Sequence, residues 1–366
     1  MPMQEHQKPA DLAAQEVGRF KRSMRLSRVI LPVSLGLGVG GYLLYSRFDP
    51  ELFGSIRWDG RAIGWLFVAF MLLLARHAFY SLRIRTLSDG FFSWKKSAEL
   101  IAIWEFSAAL TPTSKGGPFV MLFVLSREGL GAGRTAAAIF YSMLSDAGFF
   151  VLMLPIFLSI YGSGVLFPPD APDAAARLAG GAFYVTYSLI VCYWCLLVFF
   201  LFVKPAYAAR VVQLMSEMHL LRRWGGGLRR LSDEFLLAAR ELRQRSRGWH
   251  LRVIGGTIGA WTCKFAMINA IILAIYPLVK ADGGVQLFIY ARLTAMFIIM
   301  TFSPTPGGAG LAEVALVKFI ADYVPEQIGV LVALLWRGMA YYGYLLLGAF
   351  VVPAWIAAHA RSLHSK

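Results

Sequence analysis

Charge is what this sequence has least of. Only 16% of its 366 residues are Asp, Glu, Lys or Arg, against roughly a quarter in an ordinary soluble domain, so a soluble globular protein is a poor reading. Cysteine is scarce too. Cys192, Cys195 and Cys263 all sit inside apolar runs, and the C-x-x-C formed by the first two reads as small packing residues within a membrane helix rather than a redox pair. No H-E-x-x-H, P-loop or zinc-ligand spacing occurs. No catalytic residue, metal ligand or cofactor is therefore nominated. The basic N-terminus lacks an A-x-A-like cleavage site, so its first apolar run reads as a retained anchor.

What the sequence does have is long uncharged stretches. Val29–Tyr45 and Leu178–Val203 carry no charge, and Thr135–Tyr161, Val253–Val279 and Ile328–Ala358 carry one each: Asp146, Lys264 and Arg337. A helix of about 17–25 such residues crosses the hydrocarbon core. The net charge of +15 suits nucleic acid by its size but not by its placement. The cations cluster beside apolar runs, which is the positive-inside pattern of a membrane protein. Lys8, Arg19, Lys21, Arg22, Arg25 and Arg28 place the N-terminal segment, 1–28, in the cytoplasm. After a span at about Ala62–Leu82, Arg83, Arg85, Lys95 and Lys96 return the chain inside. The loop Lys204–Arg252, rich in arginine, belongs inside as well. It reads as two amphipathic helices broken at Gly225–Gly227, solvated or lying on anionic headgroups.

Two apolar segments are interrupted. Ser97–Ser126 is broken by Thr111-Pro-Thr-Ser-Lys-Gly-Gly-Pro118, and Val285–Tyr323 by Ser303-Pro-Thr-Pro-Gly-Gly-Ala-Gly310. Proline and glycine clusters end helices. The nine residues Pro118–Ser126, at about 1.5 Å each, are too short for a roughly 30 Å core. A re-entrant hairpin from the cytoplasmic side keeps the basic loop inside, whereas a full crossing would put it outside. The second hairpin then enters from outside, although its limb Val285–Phe302 is long for a half-crossing. The expected fold is an all-α polytopic bundle of about six full spans and two re-entrant hairpins. It forms one domain, 29–358, with the 204–252 loop and the 359–366 tail cytoplasmic. The two breaks resemble each other, and Asp146 follows Gly117 by 29 residues just as Arg337 follows Gly308. That suggests inverted repeats at about 62–161 and 253–358, whose broken helices meet near the midplane.

Ionisable groups in a span are costly, about 2.5–3.5 kcal/mol on insertion scales, and so face protein or a polar cavity. Arg76, Lys115, Lys264, Arg292 and Arg337 outnumber Glu105, Asp146 and Glu313, an excess that suits an anionic headgroup. Structural pairing, Asp146 with Arg337 or Glu105 with Lys264, is the plainer alternative. Gly116-Gly117 and Gly307-Gly308 stand at helix starts, where free N–H groups and the positive dipole end favour phosphate. Pro118 suits the first helical position. The expected binding set is Lys115, Gly116, Gly117, Lys264, Gly307, Gly308 and Arg337, with Glu105, Asp146 and Glu313 balancing charge or coupling to protons.

The Pro304-Thr-Pro-Gly-Gly-Ala-Gly-Leu-Ala-Glu313 stretch, together with Thr111–Pro118 and the later Ser145-Asp146, resembles the lysylphosphatidylglycerol synthase transmembrane-region family. The resemblance runs from about Val29 to Ala358. It departs from the family form at Ser114-Lys115, where an arginine is common, and at Pro118, where Glu-Pro is common. In bifunctional members this region moves aminoacylated phospholipid between leaflets, and a separate soluble domain performs aminoacyl transfer. A chain ending at Lys366 has no room for that domain, so the resemblance implies a stand-alone, flippase-like lipid transporter and no enzyme activity. Its expected place is the cytoplasmic membrane of a prokaryote with both termini inside, and its partners are membrane lipids bearing phosphate. The alternatives are an intramembrane headgroup transferase and a scaffold for a lipid-synthesis enzyme.

Overall fold

The computed structural model describes residues 56–111, 116–166, 173–217, 225–301, 303, 305 and 307–364, with Tyr42, Tyr45 and Gly54. The segment 1–28, most of the Val29–Tyr45 span and Lys115 lie outside the described residues. Among those described, every regular element is helical. The helices are α1 (Gly60–Leu87), α2 (Trp94–Leu110), α3 (Gly116–Arg127), α4 (Ala132–Tyr161), α5 (Asp173–Val198), α6 (Pro205–Glu217), α7 (Gly225–Gln244), α8 (Arg247–Ile275), α9 (Gly283–Met300), α10 (Leu311–Phe319), α11 (Glu326–Arg337) and α12 (Gly343–His364). Short polar residues start them. Asp59, Ser93, Ser246 and Asp282 each accept a first-turn N–H at the head of α1, α2, α8 and α9, which satisfies donors that a helix leaves open. Among the described residues, six helical stretches are long and apolar enough to cross a membrane: α1, α4, the second half of α5, α8, α9 and the α11–α12 rod. The chain is thus an all-α, polytopic membrane bundle.

At the centre α1 and α8 run antiparallel. Arg61 Nη1 donates to Leu273 O at 2.6 Å near one end, and Arg83 Nη1 reaches Thr257 Oγ1 at 3.1 Å near the other. The approach between them is close because Gly259 has no side chain: a Cβ there would stand 2.7 Å from the Phe79 ring. Gly259→Ala is therefore expected to cost about 1–3 kcal/mol of stability through overpacking. Gly255→Ala, on the same helix with nothing within 4 Å, should be neutral or gain about 0.5–1 kcal/mol from helix propensity. Thermal unfolding in detergent distinguishes the two; equal melting temperatures would contradict this packing.

The broken segments form two hairpins that open in opposite directions. Lys96, at the start of α2, pairs with Glu128, just past α3, at 2.5 Å, so both limbs of the first hairpin end on one side. Trp355 Nε1 donates to the same Glu128 at 2.6 Å, placing the end of α12 there too. The end of α1 joins the start of α8 through Asp89, which pairs with Arg245 and accepts from Trp249 Nε1. This is the basic side, and α7 docks on it: Glu234 Oε2 accepts from Gly133 N at the head of α4 at 3.0 Å. The second hairpin opens oppositely. Halfway along α9, Arg292 donates to Gly164 O past the end of α4 and to Phe319 O at the end of α10, and pairs with Asp322. The tips meet where Gly307 N donates to Thr111 O at 3.4 Å.

Several local expectations need correction. Helix α3 starts at Gly116, so Pro118 stands third in the helix rather than first; its missing N–H is still one that no partner needs. Gly225–Gly227 opens α7 instead of breaking the loop. Cys192 and Cys195 are exposed on α5 rather than packed, because their helix face points away from the bundle. Helix α9 has 18 residues, about 27 Å at 1.5 Å per residue, and so is long enough for a span, whereas its return limb α10 has nine.

Candidate functional site

The site begins as a polar stripe on α1. Arg76, Tyr80 and Arg83 are spaced i, i+4, i+7, which stacks them on one helix face. All three are buried. The Tyr80 ring lies 5.1 Å from the Arg76 guanidinium carbon and 4.6 Å from that of Arg83, measured from its centroid. Arg76 Nη2 donates to Glu105 Oε1 of α2 at 2.7 Å. Arg83 Nη1 donates to Asp146 Oδ1 of α4 at 2.7 Å, and Trp261 Nε1 of α8 donates to the same oxygen at 3.0 Å. Next to Arg76, His77 bridges Tyr344 Oη of α12 at 3.0 Å and Ala98 O of α2 at 3.1 Å.

Arg337 secures the second tip. Its Nε donates to Glu313 Oε1 at 2.8 Å and its Nη1 to Gly307 O at 2.9 Å. Glu313 Oε2 accepts from Gly310 N at 2.8 Å, so one carboxylate caps α10 and neutralises an arginine. A turn of π-helix, Gly338–Tyr342, follows Arg337. Tyr341 within it lays its ring 3.8 Å from the Arg337 guanidinium carbon, and its hydroxyl donates to Ala109 O of the first hairpin at 3.3 Å. Both tips are thus built around Arg337, Tyr341 and Gly307.

Lys264 lies between these groups. Its Nζ is 4.1 Å from the Phe297 ring centroid and 4.6 Å from that of Trp261. It makes no hydrogen bond or ion pair among the described residues, while the charges of Arg76, Glu105, Arg337 and Asp146 all act on it. Buried donors are left over nearby: among the described residues nothing accepts from Arg76 Nε and Nη1, Arg83 Nε or Arg337 Nη2. Buried groups of this kind are rare and costly. Residues 29–348 of this chain, which include all of these groups, match the family described as lysylphosphatidylglycerol synthase TM region. The chain belongs to that family. It is also similar to a UPF0104 membrane protein of Archaeoglobus fulgidus, 27% identical over 324 residues, spanning 85% of this chain and 92% of the relative. No solved structure matches.

For this family member, the pairing alternatives set out from sequence need correction. Glu105 pairs with Arg76 rather than Lys264, and Asp146 with Arg83 rather than Arg337. Helix rotation is the reason. The α1 stripe faces both α2 and α4, whereas Arg337 lies beside the break that carries Glu313. Arg292 is engaged with Asp322 at the far side and does not join the cluster. Gly116 and Gly117 begin α3, with Gly117 packed against Trp104 and Ala108 of α2. Arg83 was missed because it reads as a boundary cation, yet it is 3% exposed; the i, i+7 spacing from Arg76 through Tyr80 was the available signal. Among the described residues no group of three His, Cys, Asp or Glu side chains is close enough to hold a metal ion. Carboxylates hold each of the cluster's three arginines, Arg76 through Glu105, Arg83 through Asp146 and Arg337 through Glu313.

Proposed function

We propose that this protein moves a phosphate-bearing amphiphile between the leaflets, its headgroup passing the junction of the two hairpin tips. One observation carries the reading. Three cations from three different elements, Arg76, Lys264 and Arg337, converge inside the apolar bundle, and each has capacity left for an acceptor. A phosphate is the acceptor such a set suits, since guanidinium groups bind it bidentately and Lys as a point charge. Glu105 and Glu313 occupy the arginines at rest and would yield them to the headgroup. Gly307 and Gly308 hold the second tip with positive φ, beside the head of α10, whose positive dipole end favours an anion. Lys115 beside Gly116 belongs to the same proposed set. By the positive-inside rule the basic side, with both termini, faces the cytoplasm. The reading is transport without covalent chemistry.

The test is transbilayer movement of a fluorescent phospholipid in proteoliposomes, read by a reductant that reaches only the outer leaflet. Lys264→Ala and Arg76→Gln are expected to slow the initial rate about tenfold, a loss of about 1.4 kcal/mol in the barrier. Arg57→Ala, on the exposed segment before α1, should leave it unchanged. Rates equal to wild type in both cluster variants would remove this reading. A chemically altered headgroup in the same vesicles would replace it with the transferase alternative.

A further inference from the structure

Away from the hairpin tips, a cavity of about 430 Å³ lies between α4, α5 and α8, within the usual range for ligand sites. Leu144 and Leu152 of α4, Trp194 and Val198 of α5, and Ile254 and Ile258 of α8 line it. Leu152, Ile254 and Ile258 are 56%, 41% and 40% exposed, so the cavity opens sideways toward hydrocarbon. Tyr141 and His250 stand at one end of the lining, with Ser145 and Thr257 farther along its wall. There Tyr141 Oη lies 2.6 Å from His250 Nδ1, and His250 is in the first turn of α8, on the basic side. Exposed Lys204, Arg247 and Arg252 flank that end in the chain. From Tyr141 to Met153 the lining runs twelve residues along α4, about 18 Å at 1.5 Å per residue. One leaflet's share of a roughly 30 Å core is about 15 Å.

We propose that this cavity seats one acyl chain of an anionic phospholipid from the leaflet on the basic side. The phosphate sits at the Tyr141–His250 mouth, facing Lys204, Arg247 and Arg252. Depth, a mostly apolar lining and a polar mouth flanked in the chain by exposed cations fit one such chain and its headgroup. Gly148 keeps the slot open: a Cβ there would stand 2.8 Å from Trp194 Nε1, and a larger residue would push that indole into the space. The inner wall includes Thr257, which accepts from Arg83 while Arg83 holds Asp146. The seated chain therefore rests against the contact that joins α1, α4 and α8. None of Arg76, Lys264 and Arg337 lines the cavity, and the seat does not depend on the translocation reading.

The experiment uses the full chain in phosphatidylcholine nanodiscs containing a trace of phosphatidylglycerol with a photoreactive diazirine on one acyl chain, with labelled residues located by mass spectrometry. Cavity residues of α4 and α8 are expected to carry at least about threefold more label than Leu346 and Phe350, lipid-facing residues of α12. Ile258→Trp fills the slot from a partly exposed position and should remove that excess. Leu251→Trp, at a position 67% exposed, should preserve it. Label no denser than on α12, or unchanged by Ile258→Trp, would overturn the seat as ordinary contact with surrounding lipid. Equal labelling from a phosphatidylcholine probe with the same chain would overturn the anionic headgroup.

Discussion

Arg337→Ala is expected to lower the free energy of unfolding by about 3–5 kcal/mol, the cost of leaving one member of a buried ion pair without its partner. The Glu313 and Arg337 side chains are 3% and 5% exposed, so water cannot replace the lost contact. The substitution orphans more than a carboxylate. Gly307 O loses its donor, and the Tyr341 ring loses the cation packed 3.8 Å from it. Arg337→Lys should recover only part of the loss, because an ammonium on a flexible stem lacks the planar fork that serves Glu313 and Gly307 together. The paired variant Arg337→Met/Glu313→Leu should recover more than half, since removing both charges removes the uncompensated one. Thermal unfolding in detergent measures all three. A paired variant that melts as low as Arg337→Ala would mean that the ion pair is not what holds this tip. The paired variant also separates roles in vesicles: if folded, it should still fail to move lipid, because the cluster has lost a cation.

Gly307→Ala should be nearly as damaging, for steric reasons. Gly307 has φ of 56°, a left-handed conformation that costs an L-residue roughly 1–2 kcal/mol. A Cβ there would also stand 2.2 Å from Tyr341 Cε2 and 3.1 Å from Ala109 O. The second contact is with backbone of the opposite hairpin, so relief requires the tips to separate. Overpacking of this kind adds about 1–3 kcal/mol. Adding Tyr341→Ala removes the ring clash and should restore part of the loss, leaving the backbone strain and the Ala109 contact. Gly338→Ala, helical with nothing within 4 Å, should be neutral or slightly stabilising in the same assay. A Gly307→Ala protein as stable as wild type would show that the tips do not pack through this residue.

Much of the topology was legible because membrane insertion depends on local, one-dimensional quantities. Apolar run length placed the spans now seen as α1, α4, α5, α8 and the α11–α12 rod, within a few residues at most ends. The short limb after Gly117 pointed to a hairpin, and the Lys96–Glu128 pair shows both of its ends on one side. Helix α9 was harder, because 18 apolar residues satisfy the length of a span and of a deep limb alike; only the return of α10 beside Arg292 distinguishes them. The charges inside the apolar runs were equally readable, since Asp146, Lys264 and Arg337 interrupt otherwise uncharged runs, while Arg83 at the end of its run was not.

Which charge meets which was not readable. Asp146 and Arg337 share a 29-residue spacing from their breaks, yet Asp146 turns to Arg83 and Trp261, and Arg337 to Glu313 and Gly307. Partner choice depends on how each helix is rotated and which neighbour it touches, and residues far apart in the chain set both. By itself, then, the sequence determined that the chain crosses the bilayer repeatedly, where it breaks, and which charges the membrane must enclose, because hydrocarbon penalises each segment separately. Only the tertiary structure decided that Glu105 and Glu313 would pair with arginines while Lys264, among the described residues, rests on aromatic faces, because an ion pair is a property of two packed surfaces.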